Sequence, residues 1–214
     1  MAKGGRGGKR RGSLPNGGEA NWSNSPNAYQ IPATLDEAIG SQGEPMGMAD
    51  AWFDANPYYS DDYGEFSQNC QRCVFAYEMR RRGYNVEALP TYENDAMPRG
   101  GNWTTAMKGM TQVNVGKTTE AATLKNIESQ MSSWGEGSRG IIRLKWAGGN
   151  SGHVVNCEYK NGKLHVFDVQ SNKRVTGTQY LKQYLPFTTL SHTELFRTDN
   201  ATPTDSMRYM VKQK

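Results

Sequence analysis

Two of the chain's three cysteines fall within one short stretch, NCQRCVFAYEMRRRG, running from Asn69 to Gly83. Cys70, Cys73, Val74 and Tyr77 recur at the i, i+3, i+4, i+7 spacing of one helical face. Asn69 is a natural N-cap, Arg80, Arg81 and Arg82 place cations in the last turn, and Gly83 offers a left-handed stop. Cys70 therefore belongs to the first turn of a helix. There the positive end of the helix dipole stabilises a thiolate, the reactive form of the residue.

A thiolate nucleophile needs a base, and the sequence offers one on a strand. Two alternating segments, GHVVNCEYK (Gly152 to Lys160) and KLHVFDVQ (Lys163 to Gln170), flank Asn161-Gly162, the strongest short hairpin signal. With these two residues at the centre of a type I′ turn, Lys160 faces Lys163. The same register sets His153 opposite Gln170 and Val155 opposite Asp168. His153, Val155, Cys157 and Tyr159 then share a face with Gln170, Asp168, Val166 and Leu164, read here as the core face. Asp168 lies diagonally from His153, roughly 7 Å away between backbones, where a carboxylate can orient an imidazole. The order Cys70, His153, Asp168 is that of thiol hydrolases: helix-borne cysteine, strand-borne histidine, then a carboxylate on the next strand. His153, Asp168 and Gln170 form the polar end of that core face.

The remaining chemistry-bearing residues have plainer readings. Cys73 takes over as the alternative nucleophile if the helix start shifts by a turn; otherwise it fills core as a small apolar side chain. His165 faces Glu158 and is explained by that cross-strand pair. His192 reads as a solvated or capping residue. A zinc site of Cys70, Cys73, His153 and Cys157 has the right ligand types. However, residues four apart on a regular strand stand about 13 Å apart, too far for one ion. VGKTT (Val115 to Thr119) lacks the first glycine of a phosphate loop, since Thr111 occupies that position. Trp103, Trp134 and Trp146 sit in unrelated segments and read as packing and surface anchors. No metal or other cofactor is expected.

These residues must be positioned by a modest fold. The apolar fraction is 36% and mean hydropathy is −0.79 over 214 residues, so part of the chain is expected to stay unpacked. Residues 1–33 read as a disordered arm whose Lys3, Arg6, Lys9, Arg10 and Arg11 supply much of the +4 net charge. The arm is expected to be neither a signal peptide nor a membrane anchor, and its composition would allow salt-sensitive nucleic-acid contact. No window approaches about 18 consecutive apolar residues, so no membrane partner is expected. Residues 34–62 read as a partly ordered lead-in of short helical turns. The compact domain is expected over 63–198, with a polar tail at 199–214. Thr118 or Thr119 caps a second helix that buries Ala121, Leu124, Ile127 and Met131. Arg139 to Ala147 and a stretch near TELFRT complete the strands, while Thr91 to Val115 carries no clear period. Helices first and an antiparallel sheet after them make the class α+β.

NCQRC with its Ala-containing helix and RRRGYNVEALP, followed by GHVVNCEYKNGKLHVFDVQ, resembles the papain-fold toxin domain of the glutamine deamidase type, found in polymorphic bacterial toxins and bacteriophage structural proteins. The resemblance spans roughly Gln68 to Leu195. It implies a papain-like cysteine hydrolase fold with Cys70 as nucleophile, His153 as base and Asp168 as orienter, Gln170 standing beside it as a site-supporting residue; the attack on a carboxamide that it implies requires an oxyanion hole, for which the Cys70 backbone N–H and the Gln68 side chain are candidates. It further implies a protein substrate, glutamine deamidation ahead of peptide cleavage, a toxin effector or virion-associated setting, and an immunity protein as a possible partner. The reading from a different class is a non-enzymatic nucleic-acid-associated or particle protein acting through its basic arm.

Overall fold

The computed structural model describes residues 30–60, 64–91, 102–171 and 177–214, together with a two-residue ladder of β1 (Gly12–Ser13) on β2 (Glu19–Ala20). Lys3, Arg6, Lys9, Arg10 and Arg11 lie outside the described residues, as does most of the expected arm. In chain order there follow α1 (Leu35–Ile39), α2 (Met48–Trp52), α3 (Cys70–Arg81), β3 (Val86–Ala88), β4 (Met107–Lys108) and β5 (Thr111–Asn114). Then come α4 (Glu120–Trp134), β6 (Arg139–Lys145), β7 (Gly152–Lys160), β8 (Lys163–Phe167), α5 (Thr178–Tyr184), β9 (Glu194–Arg197), β10 (Thr202–Pro203) and β11 (Val211–Gln213).

The central sheet is antiparallel, ordered β5-β9-β6-β7-β8. Its β7–β8 hairpin turns through Asn161 and Gly162, both at positive φ (54° and 68°), as a type I′ turn requires. The register follows: Lys160 opposes Lys163, Cys157 opposes Val166 and Asn156 opposes Phe167. There the ladder stops. Asp168 Oδ1 accepts the Gln170 N–H at 3.2 Å and lies 3.5 Å from the Ser171 N–H, and this side-chain-stabilised turn carries the chain out of the sheet. The expected strand pairs of His153 with Gln170 and of Val155 with Asp168 therefore do not form.

Both faces of the sheet are covered, not one. Val155, Cys157, Leu164 and Val166 pack in one cluster with Ile127 and Met131 of α4 and Tyr180 and Leu181 of α5. Val154, Phe167, Ile141 and Phe196 pack on the other side with Cys73, Val74 and Tyr77 of α3. The inner strands β6 and β7 thus carry runs of consecutive buried residues, Gly140–Ile142 and Val154–Glu158, that serve both faces, where alternation alone pointed to a single core face.

α3 is enclosed almost all round, with every residue from Arg72 to Arg80 buried. Its terminal arginines are consequently not a solvated last turn. Arg80 donates to the carbonyls of Asp50, Ala51 and Val86, Arg81 binds Glu158, and Arg82 pairs with the fully buried Glu78, which also accepts from Arg139 and Thr198. Gly83 does end the helix at φ +97°, where a Cβ would stand 2.2 Å from the Gly43 carbonyl oxygen. In α4 Thr119 is the cap, accepting the Ala122 N–H at 3.2 Å. Thr123, Ile127 and Met131 form its buried stripe, whereas Ala121 is exposed.

The expected tail is part of the core. β11 pairs with β3, β10 pairs with β4, and Met207, Met210 and Val211 are completely buried. The described part of the expected lead-in, residues 34–60, is likewise packed: Ala38 of α1, Ala51 of α2 and Ala55 join the α3 cluster. Neither segment contains a long periodic run, because each contributes only a few side chains to a surface that other elements create.

Candidate active site

Asn69 occupies the position before α3, but its side chain does not cap the helix. It is buried, donating to Asn56 Oδ1 at 3.1 Å and the Leu89 carbonyl at 3.0 Å while accepting the Cys73 S–H at 3.2 Å. The helix start is thereby tied to α2's flank and to the segment after β3. Its first-turn amides keep their positive potential for another anion.

Cys70, in that first turn, is half-buried. Its thiol shares the cavity lining with the His153 ring and Val154, and both neighbours favour its thiolate form. His153 Nε2 lies 3.4 Å from Asp168 Oδ1. Asp168 is held in turn: Oδ2 accepts Ser171 Oγ at 2.9 Å and Tyr180 Oη at 3.2 Å, and its backbone carbonyl accepts Trp52 Nε1 at 3.3 Å. The Trp146 indole lies parallel to the imidazole, 11° between planes and 6.3 Å between centroids.

The electrostatics of this row favour charge separation. Burial opposes ionisation of Cys70, yet the His153 hydrogen bond and charge outweigh it and hold the thiol below its ordinary 9.0. Burial also disfavours the imidazolium, but the Asp168 carboxylate and the Cys70 sulfur raise His153 well above 6.5. Asp168 drops from 3.8 to about 2, burial being overcome by His153 and then Ser171. The shifts all run toward a thiolate, an imidazolium and a carboxylate, the charge-separated form of the three groups.

The other cysteines differ. Cys73 is fully buried, and desolvation raises its thiol well above 9.0. Cys157 sits on the opposite side of the sheet, 3.7 Å from the Met131 sulfur, and burial raises it too. Cys73 and Cys157 thus join different clusters, and among the described residues no group of three or more His, Cys, Asp or Glu is placed to share a metal. Gln68 is half-buried two residues before Cys70. Gln170 supports the turn through its backbone, donating to Asp168 and accepting Asn56 Nδ2 at 2.8 Å.

Two histidine readings change. His165 opposes Glu158 in register, but Tyr77 and Arg81 occupy that carboxylate, and the His165 ring nitrogen instead meets the Lys160 carbonyl at 3.2 Å. His192, exposed in a 3₁₀ turn, lines the cavity at the reactive row. This cavity, of about 390 Å³, is bounded by Cys70, His153, Trp103, Arg143, Lys145 and His192 among others. Tyr180 and Trp146 had no signal as site residues, because their role depends on α5 and β6 meeting at the end of β7. Among the described residues no helix is long and apolar enough to cross a membrane.

A cysteine-bearing helix laid on an antiparallel sheet is the frame of the papain-like α+β proteins. Residues 68–173 match the family described as papain fold toxin 1, glutamine deamidase, in agreement with the resemblance read from the sequence. None of the curated proteins or solved structures compared matches the chain. The matched segment takes in Cys70, His153 and Asp168 but ends before Tyr180 and the C-terminal strands.

Proposed function

We propose that the chain is a cysteine-dependent protein glutamine deamidase, acting as a toxin effector, with Cys70 as nucleophile, His153 as acid and base, and Asp168 as orienter. Cys70 and His153 lining one cavity, with Asp168 Oδ1 3.4 Å from His153 Nε2 behind them, carry this reading. The Cys70 thiolate attacks the carboxamide carbon of a glutamine side chain, and the developing oxyanion is met by the Cys70 backbone N–H at the helix start, with Gln68 as a second donor. The imidazolium of His153 gives its proton to the departing nitrogen, and ammonia leaves a thioester on Cys70. Neutral His153 then takes a proton from water, whose oxygen attacks the thioester carbonyl and releases glutamate and the thiolate. The balance is glutamine plus water to glutamate plus ammonia. Deamidation is favoured over peptide cleavage by the family's description.

The test is mass-spectrometric mapping of glutamine-to-glutamate conversion, with ammonia release, in a protein mixture treated with wild type, Cys70→Ala and Cys73→Ala. Conversion by wild type and by Cys73→Ala, but not by Cys70→Ala, is expected. Conversion that survives Cys70→Ala overturns the assignment.

A further inference from the structure

The charges around the cavity are one-sided. Besides Cys70 and His153, its ionisable lining residues are Arg143, Lys145 and His192, and none of its lining residues is acidic. Arg143 and Lys145 alternate with Leu144 on β6, so both project to the sheet face on which α3 begins. The positive end of α3 points to the same space.

The carboxylates that might cancel this field are committed elsewhere. Asp168 stands behind the imidazole, bound to His153, Ser171 and Tyr180. Glu194, directly across from Arg143 on β9, pairs with that guanidinium and accepts Gln112 Nε2 at 2.8 Å. The Arg143 side chain nevertheless remains 43% exposed. Lys145 forms no ion pair among the described residues. Asn150 and Ser151, in the turn between β6 and β7, add neutral polar side chains to the same rim.

We infer that the site selects a glutamine flanked by acidic residues, with Lys145 as the principal residue reading the flanking charge and Arg143 reinforcing it. This inference rests on the deamidase reading for its target side chain, but the charge preference itself belongs to the cleft. A cationic wall with no acidic member attracts a carboxylate-bearing segment and repels a lysine-bearing one. The bound segment would place its acidic side chains along β6 while its glutamine reaches Cys70.

Three peptides that differ only in the residues flanking one glutamine, all glutamate, all serine or all lysine, provide the probe. Their binding to Cys70→Ala is measured by fluorescence anisotropy at low and high salt, and their turnover is measured with wild type. The acidic peptide is expected to bind about tenfold more tightly than the lysine peptide at low salt, with the gap narrowing at high salt. Adding Lys145→Glu should erase or reverse the order, and Lys145→Gln should reduce it; both variants are checked by thermal melting. Equal binding of the three peptides, no binding of any, or an order indifferent to both Lys145 variants overturns the inference. Charge-ordered binding without turnover by wild type would instead overturn the deamidase reading and leave the cleft's preference standing.

Discussion

Asp168→Asn probes the reactive row with the least change in shape. Asp168 is only 6% exposed, yet its pKa falls from 3.8 to about 2 because His153 and Ser171 outweigh burial. At about 1.4 kcal/mol per pH unit this is on the order of 2 kcal/mol of favourable interaction, of which the imidazolium is the leading partner. A depressed carboxyl pKa stabilises the fold fully above its unfolded value near 4, and this contribution is lost as pH falls through about 2. The same coupling favours the proton on His153 and, through it, the thiolate form of Cys70. The direct repulsion of Asp168 on the thiolate works the other way but is the smallest of the influences on Cys70. Removing the carboxylate's charge should therefore shift the pair toward neutral thiol and imidazole by about tenfold. The assay is iodoacetamide labelling of each cysteine, followed by mass spectrometry across pH. Wild type should label fast at Cys70 at pH 6, with Cys73 and Cys157 slow, and Asp168→Asn should slow Cys70 by about tenfold. An unchanged Cys70 rate in a variant that melts like wild type refutes the coupling. Faster labelling of Cys73 than Cys70 refutes the choice of nucleophile.

Two further outcomes test the frame. Glu78→Ala strands the guanidinium groups of Arg82 and Arg139 in a nearly dry site and should cost about 3–5 kcal/mol in denaturant melts. Burial raises the Glu78 carboxyl, but Arg139 and Arg82 hold it below 4.5, so its stabilisation should be present above that pH and fade as pH falls through the depressed value. Deleting residues 205–214 removes three fully buried side chains, Met207, Met210 and Val211, worth about 2 kcal/mol each, and strips the partner from β3. Loss of a cooperative thermal transition by circular dichroism is expected; a shortened chain that melts like wild type would show that this segment is dispensable.

The order Cys70, His153, Asp168 could be read from the sequence because each lies beside a strong local signal. Asn161 and Gly162 need left-handed backbone, which sets the hairpin register and so the face of His153. Gly83 ends α3 for a similar reason, and the spacing of Cys70, Cys73, Val74 and Tyr77 marks the helix itself. Local chemistry misled where one residue had two options. Asn69 has the composition of a cap, but burial beside Asn56 and Leu89 gave its amide better partners. Asp168 continues an alternating run, but its carboxylate can bond the amides that follow and turn the chain out of the strand.

What the sequence alone determined is therefore what acts over a few residues: where α3 and the hairpin fall, and which residues could act as nucleophile, base and orienter. The tertiary structure decided what surrounds them. It placed Tyr180 and Ser171 on the Asp168 carboxylate, Trp146 beside the imidazole, and the supposed tail against β3. Side-chain periodicity reports that a face is buried but not what covers it, and contacts between segments distant in the chain leave no local pattern to read.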